Sequence, residues 1–389
     1  MTLQPFAIVR WLLQPHGIDD LNDSLVASIH DMAGKLAIAC TGGGSNAISR
    51  LLAVPGASRT LLEAVVPYHE ASLADYVGGA PDQSCSGKTA RAMAMAALRR
   101  ATLLDPDSAP LFGVGCTAAL VTDRDRRGTD RCYIAVQSVD LTVEYSITLS
   151  RSGRDRIGQE SLCGDLVLWA IARSLGIGAD RPDLLPDESL LEDKASAEPA
   201  WRALFTGDAR LTGITGDRPL LVFPGAFNPV HTGHREMARI AAELTGLPVL
   251  FEVSAFNVDK PPLDYIEMRK RQQGLTGLPF VFSNAPTFVE KSALFPGATF
   301  ILGSDTLERI AAPRYYHESR DLRDQALASM ADKGVNFLVF GRVSAEGFRG
   351  LDEIDIPDSL RAMSRGVTEE QFRDDVSSTQ IRRQPSQSR

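Results

Sequence analysis

A pair of histidines, His231 and His234, follows a short apolar stretch and a turn that contains Gly225. The apolar stretch, residues 220–223, predicts a strand, and the spacing after it predicts a helix that begins near Gly233. Side chains three residues apart lie on one side of a helix, so both imidazoles can donate to the same phosphate group. Two turn histidines that only meet water are the alternative.

The turn between this strand and this helix is predicted to bind a phosphate. Glycine lets the backbone approach a ligand closely, and the first turn of a helix presents unpaired N–H groups and a partial positive charge. We therefore assign Gly225, Ala226, Phe227 and Gly233 to ligand binding. If the attacking group is a phosphate monoester, its oxygen is already anionic, and the histidines stabilise the transition state instead of removing a proton.

A second polar group lies near the end of the chain, where Ser378 and Thr379 begin a predicted helix and Arg382 follows one turn later. Hydroxyls and backbone donors can hold phosphate oxygens there, and a guanidinium can fork onto the β- and γ-phosphates. Arg382 is therefore assigned, with the two histidines, to catalysis. A plain helix N-cap followed by a solvated arginine is the other reading of this segment.

Two weaker candidates follow other predicted strands. Gly303 and Asp305 come directly after the apolar residues 300–302 and are predicted to meet the ribose of a nucleotide, although a helix N-cap is an equally good reading. Lys260 follows residues 249–253 and is predicted to meet the phosphate of the acceptor, with a surface lysine as the alternative. No residue is assigned as a metal ligand.

These side chains need a sheet that brings several strand ends together. The second half of the chain contains short apolar stretches separated by helical spacings, at residues 220–223, 249–253, 300–302 and 337–340. This pattern predicts a Rossmann-like α/β fold with a doubly wound parallel sheet and a ligand site at the carboxyl ends of its strands.

The first half also alternates helical and strand patterns, which predicts another layered α/β domain with a tight antiparallel hairpin over residues 132–149. Between the halves the sequence turns to Asp, Pro, Gly and Ser, which is typical of a domain boundary. The chain is therefore predicted to have two domains, residues 1–176 and 218–389, joined by a linker over residues 177–217.

Two motifs stand in order near the two ends of the second domain: Gly-Ala-Phe-Asn-Pro-Val-His-Thr-Gly-His at 225–234 and Ser-Ser-Thr-Gln-Ile-Arg at 377–382. Together they resemble the nucleotidyltransferase superfamily, specifically its nicotinamide/nicotinate mononucleotide adenylyltransferases. The resemblance implies adenylyl transfer from ATP to a mononucleotide acceptor, release of pyrophosphate and a divalent cation, usually magnesium. The positions that match the family's ATP-handling residues are His231, His234, Ser378, Thr379 and Arg382.

The acceptor is less defined than the reaction. In related enzymes the pyridine ring commonly stacks on tryptophan, whereas all three tryptophans of this chain precede the second domain, so a phenylalanine or tyrosine would have to supply the aromatic face. The open alternatives are another phosphate acceptor, such as flavin mononucleotide, phosphopantetheine or a sugar phosphate; CTP in place of ATP; and a non-catalytic nucleotide sensor or scaffold.

Residues 20–176 resemble the CinA C-terminal family of nicotinamide-nucleotide amidases, through Ile-Ala-Cys-Thr-Gly-Gly at 38–43 and Tyr-His-Glu-Ala-Ser at 68–72. The family's serine nucleophile and assisting lysine fall on Ala39 and Ser72. Alanine has no lone pair to attack an amide and serine lacks the charge of lysine, so we expect amidase activity to be absent. The resemblance also implies a homo-oligomer that assembles through this domain.

Two glycine-containing segments of the first domain bear on phosphate binding. The glycine run at residues 42–44 precedes a predicted helix and can hold a phosphate. Residues 86–89, Ser-Gly-Lys-Thr, suggest a P-loop, but Asp82 stands where that motif requires its first glycine. We therefore discard the P-loop interpretation.

The composition is that of a soluble globular protein of 389 residues with a formal net charge of −8 and a pI near 5.4. This acidity argues against a nucleic-acid partner, because polyanion binding relies on clustered Lys and Arg. No apolar run is long enough to span a bilayer, and no signal peptide is recognisable, so we expect no membrane partner. Five cysteines without a Cys-x-x-Cys pair favour reduced thiols and a cytoplasmic location.

Overall fold

A computed structural model describes most of the chain. The described ranges are residues 20–108, 110–123, 128–213, 220–257, 261–344 and 347–372.

The N-terminal half is a mixed sheet with helices on both faces. Its helices are α1 (Asp20–Asp31), α2 (Asn46–Ala53), α3 (Ala57–Thr60), α4 (Glu70–Tyr76), α5 (Gly87–Leu104) and α6 (Arg156–Ser174). Its strands are β1 (Lys35–Thr41), β2 (Leu61–Val65), β3 (Leu111–Ala119), β4 (Arg131–Gln137), β5 (Leu141–Thr148) and β6 (Ser189–Ser196). The strand order is β2-β1-β3-β4-β5-β6, parallel from β2 to β3 and antiparallel from β3 to β6. The predicted hairpin is confirmed as β4 and β5.

The two faces of this sheet carry side chains of different size. On one face, Leu36 and Ile38 of β1 join a large apolar core with α1, α2 and α6. On the other face the sheet meets α5 through small residues, and a Cβ on Gly113 or Gly115 of β3 would lie within 2.2 Å of an α5 carbonyl oxygen. Glycine at these positions therefore lets α5 pack directly on the strands.

The C-terminal half is a parallel sheet with helices on both faces. Its helices are α7 (Pro199–Thr206), α8 (Thr232–Thr245), α9 (Tyr265–Gly274), α10 (Phe288–Leu294), α11 (Ser304–Ala311), α12 (Arg320–Asp332) and α13 (Asp358–Ala362), with a 3-10 helix at Pro313–Tyr316. Its strands are β7 (Leu221–Pro224), β8 (Val249–Ser254), β9 (Phe280–Ser283), β10 (Thr299–Gly303), β11 (Asn336–Phe340) and β14 (Ser364–Val367), with a separate hairpin of β12 (Arg342–Ser344) and β13 (Gly347–Arg349).

The strand order of this parallel sheet is β14-β11-β10-β7-β8-β9. The chain fills the sheet outward in one direction from β7 and then in the other direction from β10. The prediction of a doubly wound α/β fold is therefore confirmed. In such sheets the crevice between the two central strands is the place where ligands bind.

The alternation of side chains along each strand builds one core on each face. Phe223 and Ile301 pack with α7, α8 and α9, whereas Val222 and Phe300 pack with α11, α12 and α13. Because both faces are covered, the central strands β7, β10 and β11 are mostly apolar, which is why the sequence pattern reveals them.

The segment predicted as a linker, residues 177–217, is folded over much of its length. β6 extends the N-terminal sheet beside β5, and Trp201 of α7 is buried in the C-terminal core with Ala195 of β6. The strand escapes prediction because it is an edge strand with mostly exposed, polar side chains. The segment therefore packs against both halves of the chain.

The two halves also meet through the start of α9. The Tyr265 backbone N–H donates to Oγ1 of Thr142 at 3.0 Å, and the Tyr265 hydroxyl donates to the Val139 carbonyl at 2.6 Å. Beside these bonds, the guanidinium of Arg91 on α5 contacts carboxylates of both halves. The halves are therefore joined by polar contacts as well as by chain connectivity.

All five cysteines are free thiols, and four of them are buried, in agreement with the sequence prediction. Across the described ranges, the helices are too short or too polar for any of them to cross a membrane.

Candidate active site

The carboxyl ends of β7, β10 and β11 surround a cavity at the point where the winding direction of the C-terminal sheet reverses. Six residues that line it are His231, His234, Gly303, Asp305, Arg342 and Phe372. The structure thus brings both predicted histidines to the predicted Gly-Ser-Asp segment, about 70 residues away in the sequence. Ligands of doubly wound α/β proteins bind at this point of the sheet.

The two histidines lie against one another at the start of α8. The backbone N–H of His231 donates to Nδ1 of His234 at 3.3 Å, and the ring centroids are 3.7 Å apart. Since Nδ1 of His234 accepts this hydrogen bond, the neutral ring carries its own proton on Nε2. Burial, and secondarily the charge of His231, lower the pKa of His234 from 6.5 to about 4. At neutral pH this side chain is therefore an uncharged hydrogen-bond donor.

Phe227 holds His234 in place. Its side chain is only 2% exposed, and its ring centroid lies 5.1 Å from the ring of His234, 5.1 Å from Phe251 and 5.3 Å from Phe223. Its φ angle of +42° is uncommon for a residue other than glycine. The Phe227 side chain therefore packs into the core and supports the histidine, and the assignment of this turn residue to ligand binding stays a prediction.

The same packing requires a glycine at position 225, two residues before Phe227. A Cβ on Gly225 would lie 2.6 Å from Cζ of Phe227, a distance at which one of the two must move. Ala226 is exposed in the turn, and Gly233 is buried in the first turn of α8. The packing of the Phe227 ring therefore requires a glycine at position 225, and the sequence pattern could not show this requirement.

Opposite the histidines, Asp305 forms an ion pair with Arg342 across the mouth of the cavity, with an N–O distance of 2.5 Å. Asp305 lies in the first turn of α11, and Gly303 is its N-cap residue. The sequence pattern did not single out Arg342. The sequence nevertheless contains a signal for it. Arg342 comes two residues after the apolar stretch 337–340, whose carboxyl end lies at the same edge of the sheet as the histidines.

Four further predicted residues cannot be placed in this geometry. Lys260, Ser378, Thr379 and Arg382 lie outside the described residues.

In the N-terminal half, the position that the CinA resemblance assigns to the nucleophile holds an alanine. Ala39 is fully buried in β1, where it packs with Leu73, Val77 and Met93. Ser72 is exposed on α4. The methyl group of Ala39 therefore occupies an apolar cluster.

The glycine run at residues 42–44 is occupied by a carboxylate of the chain itself. Glu160 of α6 accepts hydrogen bonds from the backbone N–H of Gly44 at 2.8 Å, the Ser45 hydroxyl at 2.7 Å and the backbone N–H of Asn46 at 3.1 Å. The prediction that this run can hold a phosphate is therefore wrong for this conformation, because Glu160 already supplies the anion.

Comparison with known families supports the assignment of the C-terminal half. Residues 222–384 match the family described as cytidylyltransferase-like. The C-terminal half carries a nucleotidyltransferase domain. Its match begins at β7, so the cavity at the strand ends lies inside the matched region.

Among solved structures, the chain is similar to the competence/damage inducible protein CihA from Agrobacterium tumefaciens, with 17% identity, a TM-score of 0.30 and coverage of 41% of this chain and 96% of that chain. It is also similar to a competence or damage-inducible protein from Enterobacter asburiae, with 16% identity, a TM-score of 0.33 and coverage of 41% and 98%. A CinA superfamily protein from Escherichia coli gives 18% identity, a TM-score of 0.30 and coverage of 41% and 92%. No curated protein matches the chain.

Proposed function

We propose that the C-terminal domain transfers the adenylyl group of ATP to nicotinamide or nicotinate mononucleotide and releases pyrophosphate, and that the N-terminal domain lacks amidase activity. The observation that carries the proposal is the closely packed histidine pair at the N-terminus of α8, at the switch point of a nucleotidyltransferase domain. The choice of acceptor rests on the sequence resemblance of the two motifs at 225–234 and 377–382.

The neutral state of His234 suits this reaction. When an acceptor phosphate attacks the α-phosphorus of ATP, negative charge accumulates on the oxygens of the α-phosphate. A neutral Nε2–H at the start of a helix can donate to such an oxygen, and the helix terminus adds unpaired backbone donors. The acceptor oxygen is already anionic, so neither histidine has to remove a proton.

The remaining binding roles are proposals as well. Ser378, Thr379 and Arg382 would hold the β- and γ-phosphates, Lys260 the phosphate of the acceptor, and Gly303 with Asp305 the ribose. Magnesium would enter with the substrate as the Mg–ATP complex, because Mg²⁺ in such sites is held largely by phosphate oxygens and water.

A different nucleotide is the second candidate. The matching family is described as cytidylyltransferase-like, which favours a test of CTP beside ATP. Both reactions use the same charge distribution at the α-phosphorus, so the histidine geometry supports either one.

The test is to incubate the purified full chain with Mg–ATP or Mg–CTP and, separately, nicotinamide mononucleotide, nicotinate mononucleotide, flavin mononucleotide or phosphopantetheine, and to identify products by mass spectrometry. We expect a pyridine dinucleotide and pyrophosphate from ATP. Product from another acceptor or from CTP would keep the reaction type and replace the substrate. Nucleotide binding without any product would contradict an enzyme and support a sensor.

The role of His234 has its own variant. His234→Ala should lower kcat/KM by roughly 100- to 1000-fold, the size of effect seen when one donor to a developing negative charge is removed. His69→Ala is the matched control, because His69 is an exposed histidine at the start of α4 in the other half. Equal rates in the two variants would refute the assignment.

A further inference from the structure

A second cavity lies between the two halves of the chain. Its volume is about 450 Å³, compared with about 240 Å³ for the cavity at the switch point. The N-terminal half supplies the segment after α4 and the first turn of α5, and the C-terminal half supplies residues 261–264 and one side of α9. This volume is in the range of sites that bind small organic molecules.

Part of the wall is apolar and rigid. Val77 and Pro81 line the cavity from the N-terminal half, and Pro261, Pro262 and Leu263 line it from the C-terminal half. Proline rings fix the backbone and present flat apolar surfaces. A planar organic group can therefore pack between the halves here.

The opposite part of the wall is the N-terminus of the 18-residue helix α5. Ser86 is the N-cap, and its hydroxyl accepts a hydrogen bond from the Thr89 backbone N–H at 3.2 Å. The first N–H groups of a helix have no intrahelical partner and carry a partial positive charge. The ammonium of Lys88, whose side chain is 64% exposed, lies beside them and also lines the cavity.

Arg271 of α9 provides an independent indication of a ligand. Its side chain is only 8% exposed and lines the cavity from the C-terminal half. Its Nη1 donates to Glu267 at 2.8 Å, whereas its buried Nε finds no hydrogen-bond partner in the part of the chain that the structure describes. Buried polar groups are nearly always satisfied, so Nε of Arg271 leaves a donor for a partner that the described residues do not supply.

The carboxylates that line the cavity are each paired with a cation of the chain. Asp264 and Glu267 both pair with Arg91, at 3.0 Å and 2.9 Å. Asp82 pairs with Lys88 at 3.1 Å, but an ammonium has three donors and can hold a second acceptor. Hydrogen-bond donors therefore remain at the cavity on the ammonium of Lys88 and on Nε of Arg271.

We propose that this cavity between the halves binds a small organic phosphate, with the phosphate at the N-terminus of α5 between Lys88 and Arg271 and the organic group between the proline-lined walls. The Ser-Gly-Lys-Thr segment at residues 86–89 is then a phosphate site of the simple helix-terminus kind and not a P-loop. This site is separate from the proposed transfer site and does not depend on the proposed function.

The test uses phenyl phosphate, which combines a phosphate monoester with a flat apolar ring and lacks a nucleoside. Isothermal titration calorimetry on the full chain should show one site. Lys88→Met should weaken binding about tenfold, because a hydrogen bond to a charged group is lost. Arg100→Met, which removes an exposed arginine at the other end of α5, should leave the affinity unchanged.

Two further titrations test where the phosphate binds and whether the apolar walls contribute. His234→Ala should bind phenyl phosphate as the wild type does; a loss there would place the ligand at the switch point and overturn the proposal. Inorganic phosphate should bind more weakly than phenyl phosphate, and equal affinity would overturn the role of the apolar walls. No heat of binding, or equal affinity in Lys88→Met, would overturn the site itself.

Discussion

The guanidinium of Arg91 is predicted to be the strongest polar contact between the two halves. Its side chain is 5% exposed and touches Glu144 of the N-terminal half and two carboxylates of the C-terminal half, Asp264 at 3.0 Å and Glu267 at 2.9 Å. Arg91→Met preserves most of the side-chain volume and removes the charge. It leaves Glu144 and Asp264 without their cation, while Glu267 keeps Arg271 at 2.8 Å.

The magnitude follows from burial. Removing one partner of a buried ion pair typically costs about 3–5 kcal/mol, because the remaining charge stays desolvated and uncompensated. We therefore expect Arg91→Met to lower the free energy of unfolding by about that amount at pH 7. The matched control is Arg100→Met on the same helix, which breaks the exposed pair with Glu63 and should leave the urea midpoint close to that of the wild type.

The assay is urea unfolding followed by tryptophan fluorescence, since Trp169 lies in the N-terminal core and Trp201 in the C-terminal core. The fluorescence should separate into two transitions in Arg91→Met if the halves lose their coupling. Equal urea midpoints for Arg91→Met and Arg100→Met at pH 7 would refute the reasoning.

The pH dependence provides a second check on Arg91. Burial raises the pKa of Glu267, but the charges of Arg271 and Arg91 outweigh it, so that its pKa is lowered overall from 4.5. Its stabilising contribution is present above that pH and is lost as the pH falls. In Arg91→Met the Glu267 carboxylate takes up a proton more readily, so the stability difference from the wild type should be smaller at pH 4 than at pH 7.

Two other predictions concern the candidate active site. Gly225→Ala should destabilise the chain by about 1–3 kcal/mol in thermal or urea unfolding, because its Cβ would collide with the Phe227 ring; Gly303→Ala, whose Cβ meets nothing nearer than 3.9 Å, should be much milder, and equal losses would contradict the steric argument. His234, with its pKa lowered from 6.5 to about 4, should stay neutral down to about pH 5 in an NMR titration. Between pH 6.5 and 4 the unfolded state takes up this proton first, so stability should fall as pH falls, and His234→Gln should reduce that slope. Titration of His234 near pH 6.5 would contradict the role of burial.

Much of the fold was predictable because local patterns of apolar and polar residues determine it. The stretches at 220–223, 249–253, 300–302 and 337–340 are apolar on both faces and became β7, β8, β10 and β11. β14 was missed because its sequence, Ser-Arg-Gly-Val, is mostly polar, and the short stretch that forms β9, Phe-Val-Phe-Ser, was not singled out. β6 was missed for a related reason, because an edge strand needs no apolar alternation of its own.

The sequence by itself determined the chemistry that is available: the paired histidines, the glycine turn before them and the doubly wound order of elements. These are properties of residue type and spacing within a few turns of chain, where local geometry has few solutions. The alanine at position 39, where the CinA resemblance implies a serine, is also visible in the sequence alone.

The tertiary structure decided how those groups are held. Only packing shows that the Phe227 ring supports His234, that Glu160 occupies the glycine run, and that Arg342 faces Asp305. The cavity beside Arg271 likewise exists only because two distant segments meet. Burial, which sets the pKa of His234 and the strength of the Arg91 contacts, depends on what the rest of the chain places around a side chain, and no local pattern encodes it.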